Sequence, residues 1–248
     1  MSSYITSLVK LTDHPNDLIN GELYCNTWEY FDKLGKKGIG DSTEMTQAIL
    51  ETEYENRVMS RRYSIRVVSE DQLYTPVFCL YSYNSKKYKQ PPIIKLPKII
   101  SGDIGSYKYA VLITDVKEFL NRINKKQPSF CYSPIKYIDY DNLRGKAIYE
   151  PITKKDKCDY EYQQEFRIYD YSIAITRRED FNIPGIKKIP GIDNNGNLAA
   201  KFAVGDLSDI AKPYPLDALY QGVRIELIID WDYCHKNKLV KEQQFIKK

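Results

Sequence analysis

An α+β fold, with a mostly antiparallel twisted sheet and a few helices packed on it, is predicted by three observations in the sequence. Short runs rich in β-branched and aromatic residues recur along the chain and outnumber segments of helical period. These runs do not alternate regularly with helices, so a parallel βαβ architecture is not indicated. The 248 residues, 42% hydrophobic and 28% charged, lie in the range of a folded chain with its own core and exclude a disordered tail or a collagen-like repeat.

Taken in order, Asn26–Leu34 reads as a helix capped by Asn26 or Thr27, followed by a loop at Lys36–Thr43. Thr43–Asn56 reads as a second helix, and Tyr63–Val68 and Val77–Tyr83 as strands. Tyr88–Lys98 carries Pro91, Pro92 and Pro97. Proline donates no ladder hydrogen bond, so this stretch is a loop, or the connector if the single domain 1–248 has two lobes. Tyr109–Thr114 is a strand. Asp115–Asn124 is the clearest helix, with Asp115 at the cap and Val116, Phe119, Leu120 and Ile123 at helical spacing. Strands follow at Ile135–Tyr140 and Glu165–Ser172, then a loop at Pro184–Asn197 whose Gly196 suits a positive φ. Phe202–Ile210 (FAVGDLSDI) reads as a strand-to-helix turn capped by Ser208 or Asp209. Leu216–Gln221 is a short helix stopped by Gly222, Val223–Ile229 a strand, and 235–248 a basic polar tail.

Composition narrows the function classes. The 37 Lys and Arg against 33 Asp and Glu leave a net charge of +4, nearly neutral at this length. No stretch approaches the roughly 18 consecutive apolar residues of a membrane span, and the N-terminus lacks the basic start and apolar run of a secretory signal. A cytoplasmic location without membrane attachment is the expectation. The five cysteines, Cys25, Cys79, Cys131, Cys158 and Cys234, are scattered and form no C-x-x-C pair. That spacing argues against a disulfide framework and a structural zinc site, and most are expected to be small buried hydrophobes. The two histidines, His14 and His235, lie near the chain ends in polar settings, which disfavours a Cys-His or Ser-His hydrolase. Tyrosine is in excess, 22 against 8 Phe and 2 Trp.

Three segments are candidates for chemistry. Gly21–Glu44 runs from Leu23, Trp28, Tyr30 and Phe31 into Gly38, Gly40, Asp41 and Glu44, either a helix packing its aromatics and ending in a glycine turn or a ligand-facing loop. It contains no phosphate-binding glycine motif. Tyr160–Tyr169 (YEYQQEFRIY), if extended, places Glu161, Gln163, Glu165 and Arg167 on one face and Tyr162, Phe166 and Ile168 on the other. That polar face is either open to solvent with cross-strand charge pairs or a site in which Glu165 orients a sugar hydroxyl. Asp206 would belong to the same site. Arg57, Arg61, Arg62 and Arg66, and Lys86, Lys87, Lys89, Lys95 and Lys98 among aromatic residues, form basic clusters that are either solvated faces or a nucleic-acid surface.

The opening GELYCNTWEYF…GIGDSTE, the segment YEYQQEFRIY and the later VGDLSDI resemble a scattered group of uncharacterised proteins of Firmicutes and their prophages. A more remote similarity is to ADP-ribosyltransferases, whose catalytic strand carries Gln or Glu, any residue, then Glu, matched by Gln163, Gln164 and Glu165. That family's order of Arg, Ser and Glu is filled by Arg66, Ser82 and Glu165. The resemblance implies an NAD-dependent transferase of phage or mobile-element type that requires no bound cofactor and uses NAD as substrate. Glu165 would bind the ribose hydroxyl, Gln163 would orient the acceptor, and Arg66, Ser82 and Arg167 would hold NAD. The alternatives are a non-enzymatic binding module acting on a host or phage protein or nucleic acid, and an assembly protein.

Overall fold

The computed structural model describes residues 5–34, 45–55, 60–84, 93–94, 96, 107–143, 146–191 and 196–224. In chain order the elements begin with β1 (Ile5–Thr12), α1 (Pro15–Ile19), β2 (Glu22–Thr27), α2 (Trp28–Leu34), β3 (Thr46–Glu55), β4 (Ser60–Val68), α3 (Glu70–Leu73) and β5 (Pro76–Asn84). They continue with β6 (Ile93–Ile94), β7 (Tyr109–Ile113), α4 (Val116–Lys126), β8 (Cys131–Pro134), β9 (Lys136–Ile138), β10 (Lys154–Asp156), α5 (Lys157–Tyr160) and β11 (Glu165–Tyr169). The last are β12 (Ile173–Ile175), β13 (Lys187–Ile189), β14 (Ala199–Ala203), β15 (Ala211–Pro215), α6 (Leu216–Gln221) and β16 (Val223–Arg224).

An eight-stranded sheet follows the order β14-β2-β5-β1-β7-β15, with β11 branching from β5 and β8 paired to β11. Every pairing in it is antiparallel, so the α+β architecture with a mostly antiparallel sheet is the observed one. β5 is its hub. β11 covers one edge of β5, from Glu165 opposite Tyr81 to Tyr169 opposite Val77. Those same β5 residues also pair with Val9 of β1 and Asn26 of β2, so β1 and β2 share the other edge end to end. Between their registers a slot is left opposite Cys79.

Side chains alternate across the sheet. One face carries Leu8, Phe78, Leu80, Val111, Phe166 and Ile168, covered by Phe119 and Ile123 of α4. That helix is set by Asp115, whose side chain accepts from the Glu118 amide at 2.9 Å, with Lys125 and Lys126 in the last turn. The opposite face carries two smaller apolar clusters, one of Val9, Tyr81 and Leu112 under Leu216 and Leu219 of α6, the other of Trp28, Met45, Val77, Ile152 and Tyr169. Gly21 (φ +82°) closes the α1–β2 turn against Gly205: its carbonyl accepts from the Val204 amide at 2.8 Å, and a Cβ there would lie 1.8 Å from the Gly205 oxygen.

Several sequence expectations are corrected. Thr43–Asn56 is not helical where described: Thr46–Glu55 is β3, paired antiparallel with β4 from Thr46–Val68 to Glu55–Ser60. Its β-branched Thr46 and Ile49 suit that ladder, and the pairing overrides the local helical pattern. Asn26 is not a helix cap but a residue of β2; Thr27 precedes α2, and its hydroxyl accepts from the Tyr30 amide at 3.4 Å. β1 and β2 themselves were not expected. After Gly205 (φ +91°) the chain turns without forming a helix. The expected strand at Ile135–Tyr140 is reduced to β9. The expected connector 88–98 lies outside the described residues except for 93, 94 and 96, and the tail 235–248 lies wholly outside them. Among the described residues no helix is long and apolar enough to cross a membrane.

Candidate functional site

The alternation of β11 decides the chemistry of the second face. Phe166 and Ile168 enter the main core, while Glu165, Arg167 and Tyr169 point to the other side, and all five residues are buried. The polar face of this segment is therefore interior, not an open solvent face. Before β11 the chain is not extended: Glu161–Gln163 is a 3-10 turn and Gln164 adopts φ +42°. That left-handed residue is held through its carbonyl, which accepts from the Ser82 amide at 2.8 Å and the Ser82 hydroxyl at 2.6 Å. The turn leaves Glu161 exposed and brings Gln163 in beside Glu165.

Arg167 grips Glu165 side-on, Nε to Oε1 at 2.6 Å and Nη2 to Oε2 at 3.0 Å, and Nη1 donates to the Ile152 carbonyl at 2.7 Å. β9 and β10 pair in parallel register, setting Lys155 next to Tyr137. Both reach Glu165: Lys155 Nζ lies 3.3 Å from Oε2 and 2.7 Å from Gln163 Oε1, and the Tyr137 hydroxyl accepts from the Glu165 amide at 2.8 Å. The Trp28 ring lies 4.4 Å from the Arg167 guanidinium carbon, and the Tyr160 ring 4.5 Å from Lys155 Nζ. Arg167 is 1%, Lys155 2%, Gln163 7% and Glu165 8% exposed.

Burial alone would raise the Glu165 pKa, but Arg167 and Lys155 beside it outweigh burial and hold the carboxyl well below the usual carboxylate range. Burial and the nearby Glu165 push the Cys79 thiol and the Tyr137 hydroxyl up, so neither ionises near neutral pH. A third basic group comes from β1. Lys10 Nζ donates to the Cys79 carbonyl at 2.9 Å and lies 4.5 Å from the centroid of the Phe78 ring, filling the slot between β1 and β2. Burial lowers its pKa.

These groups line a cavity of about 150 Å³. Its polar floor is Lys10, Lys155, Arg167, Glu165 and Gln163, and its aromatic wall includes Trp28, Tyr30, Phe31 and Tyr107. Trp28 is buried, and its indole N–H has no acceptor among the described residues. Among the described lining residues Lys155 and Arg167 are set against one carboxylate, Glu165, with the Lys10 amine beside them, so the cavity favours a negative guest.

Of the residues singled out in the sequence, Glu165, Gln163 and Arg167 come together here. Tyr30 lines the cavity, Tyr160 covers Lys155, and the Tyr162 hydroxyl lies 3.5 Å from Gln163 Nε2. Ser82 is not a lining residue; its hydroxyl is engaged by the Gln164 carbonyl. Arg66 is on β4, opposite Ile49 in a two-stranded ribbon separate from the central sheet, and its side chain lies outside the described residues. Asp206 is exposed, accepts from the Ser208 amide and hydroxyl, and does not line the cavity. Cys131 and Cys158 are exposed rather than buried, Cys25 is buried and Cys79 half-buried. No group among the described residues has the donors for a metal ion. Gly38, Gly40, Asp41, Glu44, Arg57, Lys86, Lys87, Lys89, Lys95, Lys98, Cys234 and His235 lie outside the described residues.

Lys10, Lys155 and Trp28 were not foreseen as site residues. Lys155 belongs to the run KKDK, which reads as solvated charge, and its burial follows from the β9–β10 pairing. Lys10 interrupts the apolar run LVKL, a signal visible only once that run is recognised as a central strand.

Fold and cavity together define an α+β protein with a buried, cation-rich cavity on one face of an antiparallel sheet. No protein-family model, no curated protein and no solved structure matches the chain.

Proposed function

We propose that the protein binds a small organic anion in this cavity, its negative group at the cationic floor and its flat or apolar part against the aromatic wall. The observation that carries the reading is the pair of buried cations, Lys155 and Arg167, held on Glu165 beside the Lys10 amine under aromatic side chains. Glu165 serves as the strut that fixes Arg167 and Lys155. Cavities near 150 Å³ accept molecules of about the size of benzene, so the expected ligands are single-ring or short-chain acids and phosphates. Calorimetric titration with benzoate and nicotinate against neutral benzamide and nicotinamide tests this. The acids are expected to bind and the amides not, with Lys155→Met weakening the acids about tenfold or more. Equal affinity for acids and amides overturns the reading.

A second reading gives Glu165 a catalytic role, and what favours it is that Glu165, held ionised, and Gln163 stand side by side at the cavity. In it the protein is a cytoplasmic NAD-dependent ADP-ribosyltransferase of phage or mobile-element type. Glu165 receives the ribose hydroxyl and stabilises an oxocarbenium-like centre, Gln163 orients an acceptor on a host or phage macromolecule, and Arg66 holds the phosphates. Incubation with labelled NAD and a cell lysate, compared with Glu165→Ala, tests it. Absence of both labelled product and nicotinamide release from the wild type would sink it.

A further inference from the structure

We propose that Lys10 is a carbonyl-capturing amine, and that the cavity forms an imine between Lys10 Nζ and an aldehyde or keto acid whose carboxylate is held by Lys155 and Arg167. The inference rests on the anion-binding reading for the ligand's carboxylate and goes beyond it in assigning a covalent step. Three observations carry it. Lys10 lines the cavity beside the cations Lys155 and Arg167. Unlike Lys155, it has no carboxylate within ion-pairing distance among the described residues; Nζ meets one backbone carbonyl, at 2.9 Å, and one aromatic ring. The slot between β1 and β2 holds the amine half-buried, which favours its neutral, nucleophilic form.

The step balances without any further reactant. Neutral Nζ adds to the carbonyl carbon, the two amine hydrogens leave with the carbonyl oxygen as water, and a C=N bond replaces C=O. Lys155 and Arg167 keep the ligand carboxylate in place while the carbonyl carbon meets Nζ.

Glyoxylate with cyanoborohydride is the probe, because hydride reduction of the imine leaves a stable carboxymethyl-lysine that peptide mass spectrometry locates. Burial enlarges the neutral fraction of the Lys10 amine relative to an exposed lysine, and the ligand's carboxylate is held beside it. Lys10 of the wild-type protein is therefore expected to be modified severalfold faster than Lys125 and Lys126, the exposed pair ending α4. Modification of Lys10 no faster than these two overturns the proposal, and the wild-type comparison needs no variant to fold. Excess benzoate separates the two readings. Protection of Lys10 supports both, whereas rapid modification of Lys10 that benzoate does not slow supports the reactive amine while removing the anion site. Benzoate binding by calorimetry without preferential Lys10 modification removes the imine and leaves the anion site standing.

Discussion

Glu165→Gln keeps the shape of the side chain and removes a carboxylate that Arg167 and Lys155 share. The two cations have side-chain exposures of 1% and 3%, so water cannot replace the lost counter-charge. Breaking a buried ion pair by removing one partner costs about 3–5 kcal/mol. In a chain of this length each kcal/mol moves Tm by about 2–4 °C, so the expected drop is on the order of 6–20 °C. Thermal unfolding followed by circular dichroism at pH 7 reads it, with Asp209→Asn as the control. Asp209 pairs bidentately with Arg122 at the surface, where solvent and salt screen the interaction, and its loss is expected to leave Tm nearly unchanged. The buried cluster also predicts coupling: Glu165→Gln combined with Arg167→Met is expected to lose less than the two single changes together. A Glu165→Gln shift no larger than that of Asp209→Asn would refute the assignment of Glu165 as the organising charge of the cavity.

The same pair makes stability acid-sensitive. Glu165 has a folded-state pKa depressed below its unfolded value, so its contribution is fully present above about pH 4.3 and is lost as pH falls from there through the depressed value. Urea midpoints are expected to fall more steeply below pH 4 for the wild type than for Glu165→Gln; parallel curves would contradict this. Gly21→Ala forces a Cβ to 1.8 Å from the Gly205 oxygen at a residue with φ +82°, and is expected to destabilise by about 2 kcal/mol or more in urea unfolding. An unchanged midpoint would show that the α1–β2 turn does not depend on this contact. Asp115→Ala removes the acceptor of the Glu118 amide and is expected to cost about 1 kcal/mol, with Asp115→Asn largely restoring it.

β5, β7, β11, α4 and α6 were legible because their apolar period and their caps are local: Asp115 caps α4, and Gly222 follows α6 with φ +108°. β3 was misread because Thr-Gln-Ala-Ile-Leu fits either period, and only the ladder with β4 selects the strand. Within the site, Gln163, Glu165 and Arg167 were visible as a cluster of polar types with short spacing. Whether their face was solvent or interior was not, because β11 can be read either way until β5 and β8 are placed on its two edges.

By itself, then, the amino-acid order determined the α+β class and the strand that carries Glu165, since these follow from local propensity and alternation. Tertiary structure decided what that strand faces. Lys155 arrives through a parallel pairing, Lys10 through a slot where two strands share one edge of β5, and Trp28 through the start of α2. Burial is a property of what packs on a side chain, and here every packing partner that turns a polar strand into a cationic cavity comes from elsewhere in the chain.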